Sequence, residues 1–74
     1  MPLEFGKVVR RYRALNRFSQ EKLAELAGVH PTYIGLLERG KRVVSLRIAS
    51  SIADSLQVPL STMIHEAENS LNGI

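Results

Sequence analysis

The chain has 74 residues, 45% of them hydrophobic and 23% charged, with no cysteine and a formal charge of +3. This length allows one small domain with a single modest core; the lack of cysteine excludes disulfides and thiolate sites, and two isolated histidines, His30 and His65, are too few for a metal cage. No apolar run is long enough to span a bilayer and the N-terminal stretch MPLEFGKVVRRYR has no signal-peptide core, so the expected setting is the reducing cytoplasm, without a membrane.

No stretch alternates apolar and polar residues over a useful length, whereas helix start and stop signals recur, which predicts an all-α fold. Pro2 and Glu4 suit a helix start, and Phe5, Val9 and Tyr12 at i, i+4, i+7 give an apolar stripe to a first helix over about residues 3–15, with arginines at its far end where the helix dipole favours them. Ser19 is a good N-cap for a short second helix with Leu23, Ala24 and Ala27 inward, ended by Gly28, which accepts a left-handed turn. After Gly28-Val29-His30, Pro31 fits the first position of a third helix because its missing N–H would be unpaired there; Ile34 and Leu37 form the buried stripe and Gly40 closes the helix. Lys41 to Val44 form a loop leading to Ser45, the cap of a fourth helix with Leu46, Ala49, Ile52, Ala53 and Leu56 on one face. Pro59 then separates it from a fifth helix over about residues 60–70 that carries Leu60, Met63, Ile64 and Ala67, and the tail SLNGI is expected to fray.

The segment GLLERGKR, residues 35–42, matches the phosphate-loop pattern GxxxxGK but has Arg42 where Ser or Thr would hold a magnesium ion. No strand precedes it, Leu37 continues the helical stripe of Ile34, and Glu38 would repel a phosphate, so the nucleotide-loop reading is rejected. Two short helices joined by a three-residue, glycine-containing turn instead form a helix-turn-helix over about residues 19–39, a unit that places its second helix in the DNA major groove. The charge distribution fits. All ten Lys and Arg lie in residues 1–47 with four acids, a net +6, while residues 48–74 carry only Asp54, Glu66 and Glu68, a net −3. A basic half beside an acidic half points to one surface for a polyanion and another for a different task.

The wording SQEKLAELAGVHPTYIGLLERGKR followed by SLRIASSIADSLQVPLSTMI resembles the Cro/C1-type, XRE-like helix-turn-helix family in order and spacing, over about residues 4–66. The resemblance implies a compact five-helix, lambda-repressor-like DNA-binding domain formed by the whole chain, acting as a homodimer on a palindromic operator of double-stranded DNA. Its TYIGLLERGKR stretch is similar to controller proteins of restriction-modification systems, small dimers that regulate their own operon; phage-type repressors and antitoxins acting mainly through a protein partner share the same grammar. By the same resemblance Gln20 holds a phosphate at the start of the second helix, and Pro31, Thr32 and Tyr33 open the recognition helix toward base and backbone. Thr32 and Leu36 are suited to a thymine methyl, and Gly35 either allows close approach of DNA or is merely tolerated. His30 caps the recognition helix or lies against DNA.

Arg39, Lys41, Arg42 and Arg47 are expected at phosphates, with Arg10, Arg11 and Arg17 as helpers. Arg13 and Glu38 match a family ion pair that locks the recognition helix and aims the arginine near the DNA backbone. Two departures from the family stand out: Arg17 occupies a turn position where glycine is common, predicting left-handed geometry at Asn16 or Arg17, and Val43-Val44 add exposed apolar surface. Met63, Ile64, Ala67, Leu71 and Ile74 on or beyond the fifth helix, with Ile48 off the main stripe of the fourth, exceed what one small core needs and point to a dimer interface. No nucleophile–base pair, carboxylate dyad or metal set is present, so the expectation is a transcriptional regulator with no enzymatic activity, no cofactor and no small-molecule ligand.

Overall fold

The computed structural model of the chain describes residues 4–71, which form five helices: α1 (Glu4–Leu15), α2 (Gln20–Ala27), α3 (Pro31–Glu38), α4 (Leu46–Leu56) and α5 (Leu60–Leu71). Each element follows the predicted boundaries to within a residue or two. Pro2, the side chain of Leu71 and Ile74 lie outside the described residues.

Local chemistry starts and stops these helices. Ser19 Oγ accepts the Lys22 N–H at 2.9 Å and Ser45 Oγ accepts the Ile48 N–H at 3.2 Å, each satisfying a donor that the helix itself leaves unpaired. α3 is capped by an imidazole: His30 Nδ1 accepts the Thr32 N–H at 3.1 Å, with Pro31 behind it. At the other ends one device recurs four times. Arg17, Gly28, Gly40 and Gln57 all have positive φ (58°, 75°, 74° and 60°), and at each the two N–H groups turn back onto the last helical carbonyls. Around Arg17, for instance, the Arg17 N–H donates to Ala14 O at 3.0 Å and the Phe18 N–H to Arg13 O at 3.1 Å. The apolar residue just past three of these turns, Phe18, Val29 or Val58, packs against the core, which explains how Arg17 and Gln57 hold a conformation that favours glycine.

The core is built from Phe5, Val8 and Val9 of α1, Leu23 and Ala24 of α2, Ile34 and Leu37 of α3, Ala49, Ile52, Ala53 and Leu56 of α4, and Met63 and Ala67 of α5. Two expectations are corrected. Leu46 is 67% exposed: it is the first residue of α4, and because helix side chains lean toward the N-terminus it tilts past the end of the core. Val44 is buried in its place and anchors the α3–α4 loop, so of the two loop valines only Val43 is exposed.

α1 lies against both α3 and α5, and α2 lies against α3 and α4. The α1–α3 approach is possible only because residue 6 is glycine: a Cβ there would sit 2.0 Å from the Leu37 carbonyl oxygen and 3.2 Å from Glu38 Cα. Backbone therefore meets backbone at the C-terminal end of α3, which brings Arg13, about two turns further along α1 toward its C-terminus, within reach of Glu38.

Candidate nucleic-acid interface

α3 divides by periodicity. Ile34, Leu37 and Glu38 face inward, and Thr32, Leu36 and Arg39 at i, i+4, i+7 form the outward stripe, Thr32 and Arg39 exposed and Leu36 half-buried. Pro31 and Tyr33 are half-buried beside them. The helix is held by its last residue. Glu38, with its side chain 3% exposed, accepts two parallel hydrogen bonds from Arg13, Nε to Oε2 at 2.7 Å and Nη2 to Oε1 at 3.0 Å. Arg13 Nη1 donates onward to the Phe18 carbonyl at 2.9 Å. Gln20 Nε2, at the start of α2, donates to the same Glu38 Oε1 at 3.1 Å. One carboxylate thus ties α1, α2 and α3 together, and the Glu38 hydrogen bond raises the Arg13 pKa above its ordinary value, outweighing the opposite pull of burial.

Around this frame the basic residues fall into two groups. Arg11 on α1 is paired with Glu66 on α5, and Tyr12 Oη donates to the other Glu66 oxygen at 2.5 Å; Lys7 and Lys22 are paired with Glu4 and Glu25 on their own helices. In contrast, among the described residues no ion pair involves Arg10, Arg17, Arg39, Lys41, Arg42 or Arg47, and all six are exposed. Four of these lie within nine residues, at the end of α3, in the following loop and in the first turn of α4. Their charge is therefore available to an anionic partner, and the capped N-terminus of α2, with Gln20 in place, adds backbone donors nearby.

Several expected site residues are placed differently. Gly35 is buried beneath the Gln20 carboxamide, whose oxygen would lie 3.5 Å from an added Cβ, so the residue is covered by its own chain and does not offer DNA a close approach. Arg13 is committed to internal acceptors. Arg11 is drawn toward α5 by Glu66. Met63 and Ala67, expected at a subunit interface, are fully buried in the domain's own core because the small five-helix fold uses that face of α5 to close itself. Ile48 lines a shallow groove with Ala27, Gly28, Val29, Ser45, Arg47 and Ser51, built by the end of α2 and the start of α4, with no residue of α5. Among the described members of the expected set, Ile64 is the half-buried apolar residue of α5.

Three features were not foreseen. Gly6 had a sequence signal, a glycine inside an otherwise good helix, where about 1 kcal/mol of propensity is given up and a packing reason is to be sought. The Gln20–Glu38 hydrogen bond and the stacking of Arg42 over the Tyr33 ring, 5.2 Å from guanidinium carbon to ring centroid, join residues at separations that carry no periodic signal.

A helix-turn-helix family model matches residues 9–63, most of the chain and both helices of the motif. The chain belongs to the Cro/C1-type helix-turn-helix family. The regulator is similar to the control protein C.SmaI of Serratia marcescens, 43% identical over 56 residues covering 76% of this chain and 67% of the relative. It is likewise similar to the control protein C.BamHI of Bacillus amyloliquefaciens, 46% identical over 57 residues covering 76% and 70%. Among solved structures, the clp gene regulator ClgR from Corynebacterium glutamicum superposes with a TM-score of 0.89 at 30% identity over 93% of this chain and 73% of that one. The restriction-modification controller protein C.AhdI from Aeromonas hydrophila superposes with a TM-score of 0.80 at 36% identity over 82% and 92%. The helix-turn-helix chain is thus a DNA-binding transcriptional regulator and not an enzyme.

Proposed function

We propose that this regulator controls a restriction-modification operon by binding, as a homodimer, a palindromic operator of double-stranded DNA in the cytoplasm. The observation that carries the reading is the run of unpaired cations Arg39, Lys41, Arg42 and Arg47 that follows directly on α3, a helix clamped at its C-terminal end by Glu38; Arg17, just after α1, is unpaired as well. In this reading Thr32, Tyr33 and Leu36 enter the major groove, Pro31 and the His30 cap set the entry of the helix, Gln20 holds a phosphate, and the five cations neutralise phosphates on either side. The likeness to C.SmaI, C.BamHI and C.AhdI supports the restriction-modification role. The acidic α5 end, kept from DNA by its charge, pairs two copies through a patch centred on Ile64, spacing the recognition helices about one DNA turn, roughly 34 Å, apart.

The test is a titration of the protein on the duplex preceding its own reading frame, followed by fluorescence anisotropy at several salt concentrations and by footprinting. A dimer making about 6–10 phosphate contacts gives a log K against log salt slope of about −5 to −9, with a two-fold symmetric footprint. A slope near zero, or protection of one asymmetric site by a monomer in sedimentation, refutes the reading.

A further inference from the structure

Two arginines of this chain lie over tyrosine rings at nearly the same distance. Arg11 lies over Tyr12 with 5.3 Å from guanidinium carbon to ring centroid, and Arg42 lies over Tyr33 at 5.2 Å. Their surroundings differ in one respect: Arg11 is also paired with Glu66, whereas Arg42 has no ion pair and no hydrogen-bond partner for its guanidinium among the described residues. The first contact is closed by a carboxylate. The second leaves the guanidinium N–H donors without a hydrogen-bond acceptor among the described residues, so they remain available to one on a partner.

We infer that Tyr33 is a positioning residue for Arg42, holding its guanidinium pre-aimed at an acceptor oxygen or ring nitrogen of the operator. An exposed arginine in a loop ordinarily loses rotamer freedom when it binds, and that loss weakens the contact. Here the loss is already incurred in the free protein. The ring belongs to the third residue of α3 and packs against the core, and the loop that carries Arg42 is fixed on both sides: the Lys41 N–H donates to Leu36 O at 2.8 Å, and Val44 is buried. Arg42 therefore moves with the recognition helix, and its contribution to binding depends on the ring beneath it and not on its charge alone.

The experiment is a mutant cycle on a duplex selected by the wild-type protein from a random-sequence pool. Arg42→Ala is introduced into wild type, Tyr33→Phe and Tyr33→Leu, and the loss of affinity it causes is compared among the three backgrounds. With the ring present, in wild type and Tyr33→Phe, the loss caused by Arg42→Ala is larger than in Tyr33→Leu by about two- to fivefold per bound chain, the size of an exposed cation–π contact. An equal loss in all three backgrounds overturns the inference, as does a Phe background that behaves like Leu, because then the hydroxyl and not the ring is what matters. Ring-current shifts of the Arg42 side-chain protons in the free protein give a second readout that needs no DNA. They are upfield in wild type and Tyr33→Phe, and their absence in both overturns the inference even if Tyr33→Leu fails to fold. The cycle also separates the two acceptors: a flatter salt dependence in Arg42→Ala assigns the contact to a phosphate, and relaxed preference at one base pair with an unchanged slope assigns it to a base edge.

Discussion

Two arginine–carboxylate contacts fasten α1 to the rest of the domain, and they sit in opposite environments. Arg13 and Glu38 join α1 to the recognition helix with side chains 17% and 3% exposed, through two parallel hydrogen bonds, and Gln20 completes the carboxylate's shell. Arg11 and Glu66 join α1 to α5 with side chains 54% and 28% exposed. The same chemistry has different consequences in the two places. In water an ion pair gains little over its hydrated partners, so the Glu66 contact adds little stability. At Glu38, removing either member strands a desolvated charge, so the geometry of α1, α2 and α3 is set by that one side chain. The molecule thus concentrates its most buried polar contacts on the end that carries most of the unpaired cations and joins the α5 end by apolar packing, a more exposed pair and the Tyr12–Glu66 hydrogen bond.

The comparison is broken most sharply by Glu38→Ala. Loss of the carboxylate leaves Arg13 without its partner and Gln20 without its acceptor, and the expected cost is about 2–4 kcal/mol of unfolding free energy. For a domain of this size that is a fall in Tm of more than about 8 °C, measured by thermal denaturation, with operator affinity reduced in the fraction that stays folded. The raised Arg13 pKa means that the arginine is charged in the folded state throughout the range in which it is charged when unfolded, so its stabilising contribution is fully present there; it is lost only as the pH rises through the still higher folded value. The stability difference between Arg13→Gln and wild type is therefore flat as pH is raised from 7 to 10.

Gly6→Ala reaches the same clamp from the backbone. A methyl group 2.0 Å from the Leu37 carbonyl forces α1 away from α3, costing about 1–3 kcal/mol although alanine is the better helix former. Chemical denaturation with an unchanged m-value and a lower midpoint is the expected result, and a midpoint at or above wild type means that the helices are not in backbone contact. The smallest effect belongs to the other junction. Glu66→Gln changes stability by less than about 1 kcal/mol, and that difference shrinks further as salt is added because the pair is exposed. A loss at Glu66 as large as that at Glu38 removes the distinction between the two ends.

Much of this was legible in the sequence because it is local. Caps and stops act within four residues of themselves, so Ser19, Ser45, Pro31 and Gly28 follow from the backbone groups that a helix leaves unpaired and from the few residues able to satisfy them; left-handed geometry at Asn16 or Arg17 is expected from a departure from the family pattern, and it falls at Arg17. The apolar periodicity of α2, α3 and α4 repeats every turn and so marks which face is buried, failing only at Leu46, where the helix begins and nothing stands above it to be packed against. The helix-turn-helix and the pair of Arg13 with Glu38 were readable for a different reason: their spacing matches a family whose members share it.

The tertiary structure alone decided which face of α5 stays open and which cations stay unpaired. Met63, Ile64 and Ala67 are equally apolar on paper, but Met63 and Ala67 close the core and Ile64 is left half-open, because burial depends on where four other helices stop. Arg11 and Arg42 are both arginines near a tyrosine in the sequence or in space, yet only one meets a carboxylate, and that carboxylate is 55 positions away on another helix. Charge and hydropathy are properties of a residue and can be read one letter at a time. Neutralisation, backbone contact and exposure are properties of pairs brought together by folding, and the physical forces that set them act over a few ångströms of space without regard to distance along the chain.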